Sequence, residues 1–283
     1  MIRAGGLLAM LTPLVISTLL AFKITEKFNL LGFLLAVIVG FSLHVSMNVY
    51  NDIYDTRQGA DTLESSESIF SGGSAAIVKN PELESLMFYI ARTGLIVALL
   101  GTLSLICASE RWTWPIFSAL YIILAFLSKY YTAAPVKFSY RGLGEIIVWL
   151  GFGPLAIFLG ATAQELTFHP EILLLAPLTG LSTLIFAWGG EIVDMPFDKG
   201  AEKIGLVLRM GLRNSIYGLM ALHILLAANT VLLALFIDSG WILYLALLPY
   251  ITYWPRVFVH FRGYSGNHEE LREGLKQIGR AHV

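Results

Sequence analysis

Runs of about 20 apolar residues, the length a helix needs to cross a bilayer, recur along this chain with only short polar connections between them. Eight such runs are legible, over 5–22, 28–50, 86–108, 112–131, 143–163, 172–193, 215–237 and 240–259. No gap is long enough for a soluble domain, so the pattern predicts one all-α domain over 1–283, a polytopic transmembrane helical bundle with a polar tail over 263–283. The first run has one basic residue before it and an apolar segment longer than a secretory h-region, which reads as a retained helix.

Composition agrees. Of 283 residues, 56% are hydrophobic and 14% charged, against roughly 25% charged in soluble domains. A net charge of −1 excludes a strongly basic nucleic-acid binder. The single cysteine, Cys107, lies in an apolar run and excludes a disulfide framework or a cysteine-based metal site. All but Lys23, Lys27 and Arg111 of the 19 Lys and Arg fall on the side of the N terminus, so the positive-inside rule places the N terminus and the polar loops in the cytoplasm.

Acidic groups beside a span are costly and mark candidate chemistry. One cluster closes the second run (Asn51, Asp52, Asp55, then Asp61 beyond Gly59) and another closes the sixth (Glu191, Asp194, Asp198). Four spans separate them, so both emerge on one membrane face. Asn51 and Asp55, like Asp194 and Asp198, are four residues apart and share a helix face, although Pro196 is expected to kink or end the second helix. Converging carboxylates need a cation. Hard oxygen donors without His or Cys suit Mg²⁺, which takes one or two carboxylates together with several waters and substrate phosphates. Arg57, Lys79, Lys137, Arg141, Lys199, Lys203 and Arg209 lie on the same face, able to neutralise phosphate oxygens. The pattern points to departure of diphosphate from a membrane-soluble substrate. A cation-coupled transporter is the competing class, but it favours acids near mid-bilayer on broken helices.

The stretch Asn51-Asp52-x-x-Asp55-x-x-x-Gly59-x-Asp61, followed by Ser71-Gly72-Gly73, resembles the first motif of the UbiA-type intramembrane prenyltransferases in its menaquinone-branch form. Asp194, Asp198, Lys203, Arg209 and Gly211 resemble the second motif, and YTAAPVKFSYRGLGE resembles the connecting loop that places Tyr131, Lys137 and Arg141 near the diphosphate. The chain departs from the family at Glu191, commonly Asn, and at Glu202, where Gly usually precedes the Lys; a ninth helix typical of the family is not among the eight runs.

The resemblance implies transfer of a prenyl group from a prenyl diphosphate to an aromatic acceptor such as 1,4-dihydroxy-2-naphthoate, with hydroxybenzoate or a glyceryl phosphate as other acceptors. It implies two Mg²⁺ held by Asn51, Asp55, Asp61, Asp194 and Asp198, with Asp52 and Glu191 as further ligands. Arg57, Lys137, Arg141, Lys203, Tyr131 and Ser71 are implied on the substrate. Two parallel four-helix repeats, about 1–140 and 141–262, would ring a central cavity. Several residues carry two readings each: His44 as acceptor base or hydrogen-bonded structural histidine, Arg92 and Glu145 as bundle partners or site groups, Tyr140, Trp149 and Trp188 as cation-stabilising or packing aromatics. Gly151, Gly153, Gly189 and Gly190 are expected at close helix contacts.

Overall fold

The computed structural model describes residues 4–63, 76–237 and 240–248. Within them, seven helices are long and apolar enough to cross a membrane, and the chain is a multi-pass membrane protein. The spans are α1 (Ala4–Thr25), α2 (Leu30–Arg57), α4 (Glu84–Ala108, after the short α3, Ala76–Lys79), α5 (Trp114–Tyr130), a divided fifth span, α8 (Pro170–Gly200) and α9 (Leu206–Phe236). The fifth span is α6 (Gly144–Leu150) and α7 (Ala156–Thr162), joined by a π turn over Gly151–Leu155. That turn has a cause: Pro154 lacks an N–H to donate, and Gly153 takes a non-helical backbone of φ −109° and ψ −105°. Of the expected eighth span, Gly240–Leu247 forms a 3₁₀ helix and residues from 249 onward lie outside the described ones, as does Ser71.

Two helices run further than their apolar stretches. Helix α2 carries Asn51, Asp52 and Asp55 as helical residues, and α8 continues through Pro196 to Gly200, so the expected kink or end there is not observed. Both acidic motifs are therefore helical extensions of spans, and helical spacing governs which side chains share a face.

Helix α1 packs on α2, α7 and α8; α2 packs on α4 and α5; α8 packs on α6 and α9. Leu14, Val39, Leu43, Leu105, Phe117, Phe152 and Leu159 interlock across the first five spans, while Ile185, Trp188, Ile192, Val207 and Leu219 seal α8 against α9. Leu31, Leu100, Ile122, Phe186 and Leu235 point outward, as lipid-facing residues do. Since lipid is as apolar as leucine, helices gain by close van der Waals approach at small residues. A Cβ on Gly153 would stand 2.7 Å from the Ala176 carbonyl oxygen, and one on Gly180 only 2.3 Å from that of Trp149. The expectation of close contact thus holds at Gly153 but not at Gly151 or Gly190, where a Cβ meets nothing within 4 Å.

At the end of α2 away from the motif, the Asn29 N–H donates to Gln164 Oε1 at 2.8 Å and Gln164 Nε2 donates to the Asn29 carbonyl at 2.9 Å. Asn29 Oδ1 also accepts from Gly32 N, capping α2. This reciprocal pair ties the second span to the fifth and fixes how far α2 projects toward the acidic face.

Candidate active site

Helix α2 ends in a stack. Asn51 Nδ2 donates to Asp55 Oδ2 at 2.5 Å, one turn along the same face, and Asp52 and Asp55 are both buried. Beyond Arg57 the chain folds back, with Gly59 at φ +77° and the N–H groups of Ala60 and Asp61 directed at the Asp55 carbonyl, which sets Asp61 beside the helix end.

Helix α8 brings Asp198 to the same place through the residue that follows it. The N–H of Lys203 donates to the Asp198 carbonyl at 2.9 Å, closing a tight turn in which Glu202 has φ +54°. That is left-handed backbone, which costs a non-glycine residue about 1 kcal/mol or more, and explains why glycine suits the position. The turn aims the Lys203 ammonium at both motifs: Nζ donates to Asp55 Oδ2 at 3.0 Å and pairs with Asp198 Oδ1 at 3.6 Å. The two clusters do meet, and the cation between them is Lys203. Burial raises the Asp198 pKa above the usual carboxylate value, partly countered by Lys203. Burial pulls the Lys203 pKa down, but Asp55 and then Asp198 outweigh it and hold the ammonium charged well into the alkaline range.

A third element completes the group. The loop after α5 contains a 3₁₀ turn over Phe138–Arg141, flanked by left-handed Lys137 (φ +50°) and Gly142 (φ +76°). It swings Tyr140 inward so that its hydroxyl donates to Asp55 Oδ1 at 2.8 Å. The Lys203 and Lys137 ammoniums lie 5.9 and 5.5 Å from the Tyr140 ring centroid. Burial, followed by the Asp55 charge, raises the Tyr140 pKa, so the hydroxyl stays a donor. Tyr131 lies within the fields of Glu191, Lys203, Glu145 and Asp55; burial, then Glu191, raises its pKa too.

Other expected site residues are placed elsewhere. Arg57 Nε donates to Glu84, and its guanidinium lies 4.9 Å from the Phe88 ring centroid, drawn toward α4. Arg141 donates to the Pro135 carbonyl at 3.0 Å. Neither is on the acidic pair. Arg209 donates to the Ile204 carbonyl at 3.1 Å and covers Gly142, where a Cβ would approach its guanidinium at 3.2 Å. Glu191 lies beside Glu145, close enough to Lys203 and Asp198 to feel both charges. Asp194 follows on α8, one turn before Asp198. Among the described residues no three His, Cys, Asp or Glu side chains stand together as a ready metal cage.

The residues with two readings separate. His44 Nε2 is 2.9 Å from Asn48 Nδ2 and its ring meets Phe152 edge-on at 5.2 Å, the environment of a hydrogen-bonded structural histidine. Trp188 donates to the Ser215 carbonyl at 2.9 Å within the α8–α9 seam, so it packs. Arg92 lies over the Phe88 ring at 5.6 Å. Sequence reasoning missed Tyr140 as a hydrogen-bond partner of Asp55; its position between Lys137 and Arg141 in the polar loop was the available signal. It also left open Glu145, whose Oε1 accepts from the N–H groups of Leu206 at 2.6 Å and Val207 at 3.2 Å.

The model of the family described as "UbiA prenyltransferase family" matches residues 10–271. Among curated relatives, a 2-carboxy-1,4-naphthoquinone phytyltransferase from Synechocystis sp. is 25% identical over 70% of this chain and 61% of its own length. A 1,4-dihydroxy-2-naphthoate octaprenyltransferase from Bacillus subtilis is 25% identical over 76% of this chain and 66% of its own. A UbiA prenyltransferase domain-containing protein 1 from Dictyostelium discoideum is 24% identical over 98% and 81%. The chain spans just under two thirds of the length of the first two.

Proposed function

The chain belongs to the UbiA prenyltransferase family, and on that premise we propose that it transfers a prenyl group from a prenyl diphosphate to an aromatic acceptor, releasing diphosphate. The acceptor we favour is a quinone precursor such as 1,4-dihydroxy-2-naphthoate, the chemistry printed in the name of the Bacillus subtilis relative. The observation that carries the reading is the junction of the two acidic motifs: Asp55 and Asp198 come from spans two and six and share the Lys203 ammonium. The acids sit at span ends rather than at mid-bilayer, which disfavours an ion pathway.

The donors at this junction fit Mg²⁺. Asp55 and Asp198, which already draw a cation, would hold it together with the oxygens of Asn51, Asp61 and Asp194, with Asp52 and Glu191 as further ligands. Bound there, two Mg²⁺ ions would supply charge neutralisation of the diphosphate leaving group. The protein's own groups do the rest. Tyr140 and Asn51 fix the Asp55 carboxylate on both oxygens. Lys203 and Lys137 donate to diphosphate oxygens as charge builds on them, and exposed Arg57 and Arg141 reach the same group by turning from Glu84 and Pro135. The apolar interior shields the allylic cation from water until the electron-rich ring carbon attacks it. The N terminus and this face lie in the cytoplasm, and segments 1–140 and 141–262 are parallel repeats, each with a second span that ends in acids.

The test is product mass after incubating the protein in nanodiscs with a panel of prenyl diphosphates and acceptors, with and without Mg²⁺. Metal-dependent prenylation of a naphthoate, abolished in Asp55→Ala and Asp198→Ala, is expected. Undiminished transfer in both variants, or ion flux without diphosphate release, would refute the reading.

A further inference from the structure

Glu145 lies at the start of the fifth span with 2% of its surface exposed, an expensive place for a carboxyl group. Its Oε1 serves another helix. Gly205, at the N-cap of α9, has no side chain with which to cap it, and Glu145 accepts from the first two helical N–H groups, Leu206 at 2.6 Å and Val207 at 3.2 Å. The dipole of α9 favours a carboxylate there.

The fastened residues follow Lys203 by three and four positions. Between them the chain has few other anchors: Lys203 N–H bonds the Asp198 carbonyl at 2.9 Å, Gly205 N–H bonds the Lys203 carbonyl at 3.0 Å, and Glu202 holds a left-handed conformation. The Lys203 segment is thus pinned at one end to α8 through Asp198 and at the other to the fifth span through Glu145. The second pin comes from neither acidic motif. It determines where the chain leaving α8 enters α9, and so where the ammonium rests relative to Asp55 and Asp198.

We propose that Glu145 is a positioning residue that acts through Lys203: by capping α9 in trans it holds the lysine at the junction of the two acidic motifs, where it receives the diphosphate. The inference rests on the reading of Lys203 as a diphosphate ligand. It assigns the membrane-buried acid a task that needs acceptance of two N–H bonds and no contact with substrate.

The experiment measures binding of inorganic diphosphate with Mg²⁺ to the full chain in nanodiscs by calorimetry, for wild type, Glu145→Ala, Glu145→Gln, Lys203→Ala and the double variant Glu145→Ala/Lys203→Ala. Glu145→Ala is expected to weaken binding about five- to tenfold, the factor corresponding to a lost cap. Glu145→Gln retains affinity, because its amide oxygen accepts the same two N–H groups. The double variant binds no worse than Lys203→Ala, because the effect passes through the lysine. A general loosening of the bundle instead multiplies the two losses and overturns the proposal, as does wild-type affinity in Glu145→Ala. Glu145→Asp, which withdraws the carboxylate by one methylene while keeping its charge, is the second variant should alanine prevent folding; wild-type affinity there is equally fatal. Lys203→Ala binding as tightly as wild type removes the functional reading beneath the inference, and this arm is read separately from the Glu145 arms.

Discussion

Lys203→Met isolates the contact that joins the two halves of the site. At 3.0 Å from Asp55, an effective dielectric of about 20 gives a gross attraction of about 5.5 kcal/mol. Much of that is offset by the desolvation of both groups, the lysine side chain being 21% exposed and the aspartate 5%. A hydrogen bond between charged partners retains about 1.5–3 kcal/mol net. The assay is a double-mutant cycle of Lys203→Met with Asp55→Asn, read by unfolding in mixed micelles with a denaturing detergent. A coupling energy of about 1.5–3 kcal/mol is expected. The same cycle with Asp198→Asn should give a smaller coupling, because that pair is 3.6 Å apart. Coupling below about 0.5 kcal/mol with Asp55, the range found for independent sites, or a larger value with Asp198, would show that the ammonium does not join the motifs as described.

Three further outcomes follow. Tyr140→Phe, which removes the hydrogen bond to Asp55 at 2.8 Å, should lower kcat/KM about tenfold, the effect of roughly 1.4 kcal/mol, with thermal stability little changed; an unaltered steady-state rate disproves the orienting role. Because burial raises the Asp198 pKa, the folded protein takes up a proton there more readily than the unfolded chain. Acidification through that raised value therefore relieves a cost and stabilises the ligand-free protein locally, while the protonated acid loses its hold on Mg²⁺. The Mg²⁺-induced rise in melting temperature should shrink as pH falls toward the carboxylate range, and a rise that grows on acidification contradicts the assignment. Glu202→Gly, at φ +54°, should raise the melting temperature, by up to about 1 kcal/mol of stability; a fall shows that the Glu202 side chain contributes more than its backbone strain costs.

Much of the bundle was legible because a bilayer imposes length: a helix that must satisfy every backbone group across an apolar slab announces itself as an apolar run. Where the slab ends, the signal ends. Helix α2 runs seven residues past its predicted limit to Arg57 and α8 continues to Gly200, because hydropathy marks where the apolar residues stop and not where the backbone hydrogen bonding stops. Helix α9 begins at Leu206 rather than near 215, its first turn set off from the rest by Gly211 at φ +72°; a local break of this kind leaves the hydropathy unchanged.

The acidic half of the site was readable from the i, i+4 spacing of Asn51 with Asp55 and of Asp194 with Asp198. Lys203 was readable from the second motif, but the long-range contacts of Tyr140 and Glu145 were not. Tyr140 reaches Asp55 across 85 residues of sequence and Glu145 reaches Leu206 across 61, through turns at Lys137, Gly142 and Glu202 whose left-handed backbones leave no periodic trace. Arg57 and Arg141 were readable as bases on the same face, but not the partners that hold them in the ligand-free fold, Glu84 and the Pro135 carbonyl.

The bond between Lys203 and Asp55 also bears on how the protein is made. The two residues are 148 positions apart, so when α2 enters the membrane during synthesis its future counter-ion does not yet exist, and four more spans must be translated before it does. Throughout that interval the carboxylates of the first motif need water. Their position at the end of α2, one turn short of Arg57, lets them wait in the aqueous phase while the later helices insert, and the Asn29–Gln164 pair, which also awaits the fifth span, then fixes the depth of α2. An acid two turns deeper would have to cross or lodge in the apolar slab alone. The order of translation thus favours acidic groups at the rim, where unpaired charge survives until its partner arrives.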